Sequence, residues 1–591
     1  MRIISVLILT LLCSFANAQS TYLPVQHRAY HILDRMEIRS GQMAPFHTSS
    51  KPYLRGEAFN FKFEAESVTQ KGSYIGDSLI SQDTTYSYKV VMLPQNYSKV
   101  DLENMSYLYR DNLVISRGES KLSENAFINY GESLDGGILG FYKHKAALYD
   151  YLSKDFDLVA NPVLYLAAGT DQENGDFLYH NTRGVELRGS IDGKVGYYTY
   201  ITENQVKMPF YFRQMVDSND AFTGEGFYKP FGDSAYDFFQ ARGYITFNAT
   251  KHIGMQFGQD RNFIGNGYRS MLLSDNAKDY LFLKINTKVW KFNYQNLFTE
   301  FIDFRGQSGG AKLQSKKFMA MHHLSANVGK NLNIGLFEAI IFDRQDSNGQ
   351  GGSFDINYLN PIIFYRSVEQ GLDSRDNALV GMDFKYNFLR HFSLYGQMML
   401  DEFKISELKA KSGWWANKYA GQLGLKYIDV AGINNLDLQV EVNAARPFIY
   451  THTRNSQNYT HYNQSLAHPL GASFREFVGI VKFQPYGRLN FELKGIMAEY
   501  GRDSNELRYG GDLTKDNNNR ARDYDNEIGQ GANQKYFYGE FMGTYMARHN
   551  LFLDVRYIYR NVDSNVQRYN NTSSLIMVGM RLNIEPRRYD Y

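Results

Sequence analysis

Cysteine is all but missing from this chain of 591 residues. Its one thiol, Cys13, lies near the start, so the remainder can form no disulfide and no thiolate metal site. An excess of either charge is missing too. The 64 Lys and Arg face 62 Asp and Glu, which gives a nucleic-acid partner no electrostatic footing. No apolar run reaches the ~20 residues of a membrane-spanning helix. Proline is scarce at 12 residues, whereas Tyr (46), Phe (41) and Gly (50) are plentiful. A cysteine-free, aromatic and glycine-rich chain that is polar on average fits a transmembrane β-barrel, whose polar interior masks the lipid-facing half from hydropathy averages.

Met1-Arg2, an apolar run over residues 3–12 and Ala16-Asn17-Ala18 follow the three-part pattern of a secretory signal, with cleavage expected after Ala18. Cys13 follows Leu12 inside the apolar core, which speaks against a lipid anchor. Export then places a barrel in the outer membrane of a Gram-negative bacterium. Three segments are expected: a signal peptide over 1–18, a periplasmic helical segment over 19–125, and the barrel over 126–591 with long extracellular loops.

In the helical segment, Pro24 is suited to a first turn and Gly41 to a stop. Between them Tyr30, Leu33 and Met36 recur every three residues beside Ala29 and Ile32. A second helix is expected over 53–66. A third opens at Ser98 and Asp101 in capping positions, with Leu102, Met105 and Leu108 on one face. Such faces form the core of a small bundle or plug, or a docking surface for a partner.

Beyond residue 157 the period is two. In residues 436–444, Leu436, Leu438, Val440, Val442 and Ala444 alternate with Asp437, Gln439, Glu441 and Asn443. Four polar groups on one face would be ruinous in a dry core and cost little toward a watery lumen. The same pattern marks Phe239 to Phe257, residues 378–400 and hairpins over 281–298, 318–342, 477–497 and 537–559. With strands of about 9 to 11 residues, the length allows roughly 16 to 20 strands, and 18 antiparallel strands are expected. A last strand carries Ile576, Val578, Met580, Leu582 and Ile584 toward lipid and closes against the first. The tail 585–591 follows it, with Tyr591 standing in for a terminal aromatic. A soluble propeller is the competing fold, but no repeat of about 40 residues is present.

Candidate chemistry is sparse. Gly265-Asn266-Gly267 is followed by no helix, so it is not a nucleotide-binding turn. His322 and His323 are neighbours on a strand and face opposite ways. His452, His461 and His468 share one long loop without ligand spacing, and Asp512, Asp516, Asp523, Asp525 and Glu527 lack calcium-loop spacing; both sets read as solvated. No Ser and His mark a hydrolase. The expectation is no enzyme, no metal and no cofactor. Loop aromatics Trp414, Trp415, Tyr450, Tyr459 and Tyr462 are candidates for stacking on sugar rings.

Four stretches carry a family likeness: Tyr30, Leu33, Asp34, Arg35 and Glu37; residues 51–58, reading KPYLRGEA; residues 258–276, reading GQDRNFIGNGYRSMLLSDN; and residues 358–369, reading YLNPIIFYRSVE. The chain resembles the capsule-assembly outer-membrane proteins of the Wzi class, and more closely their gliding-motility relatives of the RemB type. The resemblance implies an 18-stranded barrel with a periplasmic bundle and a role at the cell surface, either attaching polysaccharide or supporting movement. Implied partners are outer-membrane lipid or lipopolysaccharide, surface polysaccharide, and motility or secretion proteins; a diffusion porin is the alternative. The matching positions are Gly258, Asp260, Arg261, Gly265, Asn266, Gly267, Arg269, Ser270, Leu273, Ser274 and Asn276, with Asn360, Pro361 and Arg366. Ile264-Gly265-Asn266-Gly267 replaces the Trp-Gly-Pro-Gly of the capsule branch, which puts the motility branch first. Residues 261–276 are expected to fold inward, tied by Asp260, Arg261 and Asn276 to wall residues such as Gln240 and Arg242.

Overall fold

Alternation builds a closed wall. The computed structural model describes residues 20–59, 67–69, 89–91, 97–112, 146–153, 155–304, 314–344, 353–363, 376–503 and 507–591. The signal peptide, Arg366, residues 60–66 of the second expected helix and the boundary at 125/126 lie outside them. Among the described residues, eighteen strands form one antiparallel barrel. They are β1 (Phe156–Asp171), β2 (Asp176–Ile191), β3 (Val195–Lys207), β4 (Ala235–Asn248), β5 (Ile253–Asp260), β6 (Tyr280–Val289), β7 (Phe292–Asp303), β8 (Ser315–Val328) and β9 (Leu332–Phe342). The second half comprises β10 (Asn377–Phe388), β11 (Phe392–Leu400), β12 (Tyr419–Tyr427), β13 (Leu436–Ala445), β14 (Phe474–Tyr486), β15 (Leu489–Arg502), β16 (Ala532–Arg548), β17 (Leu551–Ser564) and β18 (Asn571–Leu582). Each pairs with its neighbours in sequence, and β18 closes on β1 in the register Leu575↔Asp171 through Leu582↔Leu164.

The two faces of each strand separate as expected. On β13, Val442 is 54% exposed on the outside, while Glu441 is 1% exposed on the inside. Closure leaves no strand edge, which is what lets a sheet cross hydrocarbon. At the end of β18 the expectation fails by one residue pair. The strand stops at Leu582, and Ile584 turns inward to pack beside Tyr22, Val163 and Tyr198.

Most connections divide by length; the turn over 172–175 at the long-connection mouth and the connection over 428–435 at the short-turn mouth are the exceptions. Turns over 192–194, 249–252, 290–291, 329–331, 389–391, 487–488 and 549–550 share one mouth; the connections over 208–234, 261–279, 401–418, 446–473 and 503–531 share the other. The helices of the N-terminal segment sit at the short-turn mouth. Helix α1 (Ala29–Ser40) starts later than Pro24 predicts, because Gln26 adopts φ 78° and breaks the first turn, and it ends at Gly41 with φ 69° as predicted. Helix α2 (Arg55–Phe59) is one turn. Helix α3 (Lys99–Asp111) opens on the expected reciprocal cap: Asp101 N–H donates to Ser98 Oγ at 3.1 Å, and Ser98 N–H donates to Asp101 Oδ2 at 3.1 Å.

The apolar faces of α1 and α3 make a small core of Ile32, Leu33, Met36, Met105 and Leu108 with Phe46 and Tyr53. Their charged faces are buried as well, against the barrel. Lys385 of β10 pairs with Glu37 at 2.7 Å and Asp34 at 3.2 Å, and Arg35 meets Asp101 at 3.1 Å, Asp429 at 3.0 Å and Asp437 of β13. Asn104 of α3 donates to Gln484 at 2.9 Å, and Tyr107 donates to Asn550 at 2.6 Å. The polar side of this segment is occupied by the protein's own wall and turns.

Candidate functional site

The interior is organised by the connection between β5 and β6. Gly258 near the end of β5 has φ 152°, and a Cβ there would stand 2.2 Å from the Gly243 carbonyl of the adjoining strand, so only glycine lets the chain leave the wall here. Asp260 pairs with Arg242 at 3.6 Å, as expected. The chain then crosses the lumen. Phe263–Ile264 forms an antiparallel ribbon with Ser50–Lys51, so two of the family stretches meet inside the barrel. Gly265, at φ 136°, lies where a Cβ would fall 2.2 Å from Gln397 Nε2.

The tip rests on the far wall. Gln397 of β11 donates to the Ile264 carbonyl at 2.9 Å and accepts from Met271 N–H at 2.7 Å. Gln422 of β12 donates to the Arg269 carbonyl at 3.0 Å, and Glu441 of β13 accepts from the N–H groups of Tyr268 and Arg269 at 2.7 and 3.1 Å. The Arg269 guanidinium reaches Glu476 of β14 at 3.3 Å. Gln397, Gln422, Asn443 and Glu476 are in register on four successive strands, forming one polar row at one height. Met271, Leu272 and Leu273 are 0% exposed in the apolar part of the lumen.

Two further segments complete the lock. The tail 585–591 runs back into the lumen instead of ending on a strand. Its Asp590 carboxylate meets Arg269 at 3.4 Å and Lys494 at 3.8 Å and accepts from Tyr268 Oη, while Arg588 pairs with Asp275 at 3.1 Å. Burial alone would raise the Asp590 carboxyl; the surrounding Lys494, Arg269 and Arg588 hold it below the usual carboxylate range. Tyr591 packs edge-on against Phe212 and is no strand-end aromatic. From above, Tyr450 and Tyr459 donate to the carbonyls of Met271 and Leu272, each at 2.8 Å.

Several expected contacts are displaced. Arg261 binds the Gly224 carbonyl and Glu225 (3.6 Å), and Asn276 donates to the Ser465 carbonyl at 3.0 Å. Neither reaches Gln240, because the connections over 208–234 and 446–473 also fold inward and lie nearer than the wall. Asn266, Arg269, Ser270 and Ser274 are buried together here. Asn360 and Pro361 are not part of this assembly. They belong to a strap over 353–363 on the outer face, where Phe354 and Tyr358 pack on Phe298, Phe318 and Phe342 and the Pro361 carbonyl accepts from Tyr294 Oη. This strap accounts for the outward Asn296 and His322, which bond to each other at 2.7 Å and are 3% exposed.

The sugar-stacking set is corrected in part. Tyr450 and Tyr459 are 0% exposed and offer no ring face to a sugar outside. Trp415 is covered by Arg520 at 4.2 Å, Trp414 lies beside Lys404 at 5.4 Å, and Tyr462 leans on Phe304. Two of the three loop histidines, His461 and His468, are buried rather than solvated, and His452 is partly exposed. His461 accepts from Ile302 N–H at 3.0 Å, His468 bonds Glu476 at 2.6 Å, and burial pushes the His461 imidazole down to about 3. Among the described residues no cluster of His and carboxylates has metal-site geometry.

What the long-loop mouth does present is a cleft of about 480 Å³ above the lock. Its lining includes Gln214, Asn219, Asn463 and Asn571, the ring of Tyr569 with Arg568 at 4.8 Å and Arg502 at 5.6 Å over it, and the edge of the 6% exposed Tyr500. Sequence reasoning missed it, because its side chains come from five connections, four strand ends and the tail. Below it, cavities of about 150 and 340 Å³ remain between the helices, tail and wall.

Fold and interior together define a membrane β-barrel of the outer-membrane type whose lumen is filled by its own chain. More particularly, the chain belongs to the capsule assembly protein Wzi family, whose model matches residues 173–572. Among solved structures, Wzi of Escherichia coli, described as an outer membrane protein involved in group 1 capsule assembly and a carbohydrate-binding β-barrel, aligns with a TM-score of 0.51 at 12% identity, covering 97% of this chain and 100% of that one. OccAB2 of Acinetobacter baumannii aligns at 0.41 with 10% identity, over 72% of this chain and 97% of that one. OprD of Pseudomonas aeruginosa aligns at 0.40 with 11% identity, over 72% and 95%. No curated protein matches the chain.

Proposed function

We propose that this protein binds surface polysaccharide at its long-loop mouth, outside the outer membrane, without opening a path through it. The observation that carries this reading is the outward cleft of about 480 Å³, lined by amides and tyrosine rings, above a lumen crossed by residues 261–279. Amide groups suit the dense donors and acceptors of a glycan, and a tyrosine ring suits the apolar face of a sugar. The family and the carbohydrate binding ascribed to Wzi support the same reading. The barrel habit of long loops outside and short turns in the periplasm sets the orientation. The protein acts by holding its ligand, with no bond made or broken.

In a binding assay with polysaccharide extracted from the parent cells, Tyr569→Ala with Asn571→Ala is expected to weaken affinity about tenfold, roughly the loss of one stacked ring and one hydrogen bond. Undiminished binding by the double variant would sink the reading. Two surface processes use such a grip. The family favours retention of a capsule, and Ile264 to Gly267 favours traction during gliding. Deleting the gene separates them: loss of cell-bound polysaccharide with normal spreading on agar supports the first, the reverse supports the second, and no change in either removes both.

A further inference from the structure

The connection over 401–418 holds a one-and-a-half-turn helix, Ile405–Ala410, that buries none of its residues. Ile405 is 60% and Leu408 44% exposed, and being three apart they share one face. Phe403, 40% exposed, precedes them and meets Tyr419 edge-on at 6.3 Å. Tyr419 is paired with Leu400 at the rim of the wall, on the same side of β12 as the outward Leu423. Leu423, Tyr419, Phe403 and the helix face therefore continue the lipid-facing surface past the end of the strands. Lys404 and Lys411 stand at the two ends of the helix, and Lys409 lies one residue beyond Leu408; all three are exposed, and Lys404 also pairs with Glu407 of the helix at 3.1 Å.

An apolar face flanked by lysines, at the height where a wall leaves hydrocarbon, has the chemistry of an interfacial helix. The apolar side chains enter the acyl boundary, and the lysine stems lie along it with their ammonium groups among headgroups. The geometry points to a docking surface for phosphate-bearing, anionic lipid of the outer leaflet, with Phe403, Ile405 and Leu408 inserted and Lys404, Lys409 and Lys411 against the phosphates. The lipid site is independent of the cleft.

The test uses the full-length chain with its one cysteine replaced, Cys13→Ser. Ile405→Cys is labelled with a small fluorophore and reconstituted in bilayers of phosphatidylcholine alone or with phosphatidylglycerol, each carrying a shallow spin-labelled lipid quencher. Asn519→Cys, at an exposed position on a different long connection and outside the cleft, serves as the aqueous control. Quenching at position 405 is expected to exceed the control severalfold, to be at least twofold stronger in the anionic bilayer, and to lose that difference when Lys404, Lys409 and Lys411 become Gln. Quenching no stronger than the control overturns the lipid assignment. Equal quenching in both bilayers overturns the anionic part. A label shielded from aqueous iodide only after purified polysaccharide or another protein is added overturns the lipid assignment itself.

Discussion

Arg269→Ala is expected to weaken the seat of the loop across the lumen by about 3–5 kcal/mol, the usual consequence of leaving a buried ion pair half removed. The guanidinium lies between Glu476 and Asp590 at 3.3 and 3.4 Å and also donates to the Asp590 carbonyl at 2.8 Å. Alanine would leave Glu476 and Asp590 buried without their shared guanidinium, with Lys494 and Arg588 the cations that remain around Asp590. By the usual conversion, that loss raises the unseated population more than about 100-fold. Trypsin added on the long-loop side should cut after Arg261 at a correspondingly higher rate. Arg269→Lys should recover part of the effect, since one ammonium cannot reproduce a planar fork. An unchanged cleavage rate in Arg269→Ala would mean that the polar row and the tyrosines hold the loop unaided.

The same lock has a pH signature. Asp590 has a folded-state pKa depressed by its cations. A depressed carboxyl contributes stability above its unfolded value of about 3.9, and that contribution is lost as pH falls toward the folded value. Protease resistance of residues 261–276 should therefore hold from neutral pH down to about 4 and decline below it. In Arg269→Ala the decline should be shallower, because one of the cations that depress Asp590 is gone.

The wall was legible because each strand must show lipid one face and the interior the other, so Leu436 to Ala444 declares its own geometry. The inward loop was legible from Gly258, Gly265 and Gly267, and its first tie, Asp260 to Arg242, followed from proximity in the hairpin. What receives the loop was not legible. Gln397, Gln422, Asn443 and Glu476 become one row only through strand register, and a lone polar residue facing inward looks the same whether it meets water or a backbone amide. Tyr450 and Tyr459 misled for a related reason. They lie in a long connection, where aromatics suggest a surface, yet that connection folds inward and their hydroxyls satisfy carbonyls of the buried tip. The tail did carry a signal in Arg588, Tyr589, Asp590 and Tyr591, where charge and ring alternate as on a strand, but its partners are all distant in sequence.

Arg35 tests whether the two fillings act in series. The α1 guanidinium joins Asp101 of α3 to Asp429 and Asp437 of the barrel, so it ties the helices to each other and to the short-turn mouth. Arg35→Met fills the space and removes the charge, leaving Asp101 and Asp429 with Arg39 as their cation and Asp437 with His31 at 3.0 Å. A cost of about 3–5 kcal/mol is expected, seen as a lower urea midpoint and as protease cleavage within α1. Adding Asp437→Asn should return part of that loss, since the two residues share one network and their effects are not additive. Current through a planar bilayer separates the two barriers. The unaltered barrel and Arg35→Met should both pass almost none, because the loop over 261–279 still crosses the lumen. Arg269→Ala should also stay silent, because the helices remain. Only the double variant opens both barriers, and it should conduct steadily. Conductance in either single variant would show that one filling alone closes the lumen. Silence in the double variant, with both segments open to protease, would show that the tail or the remaining long connections seal it.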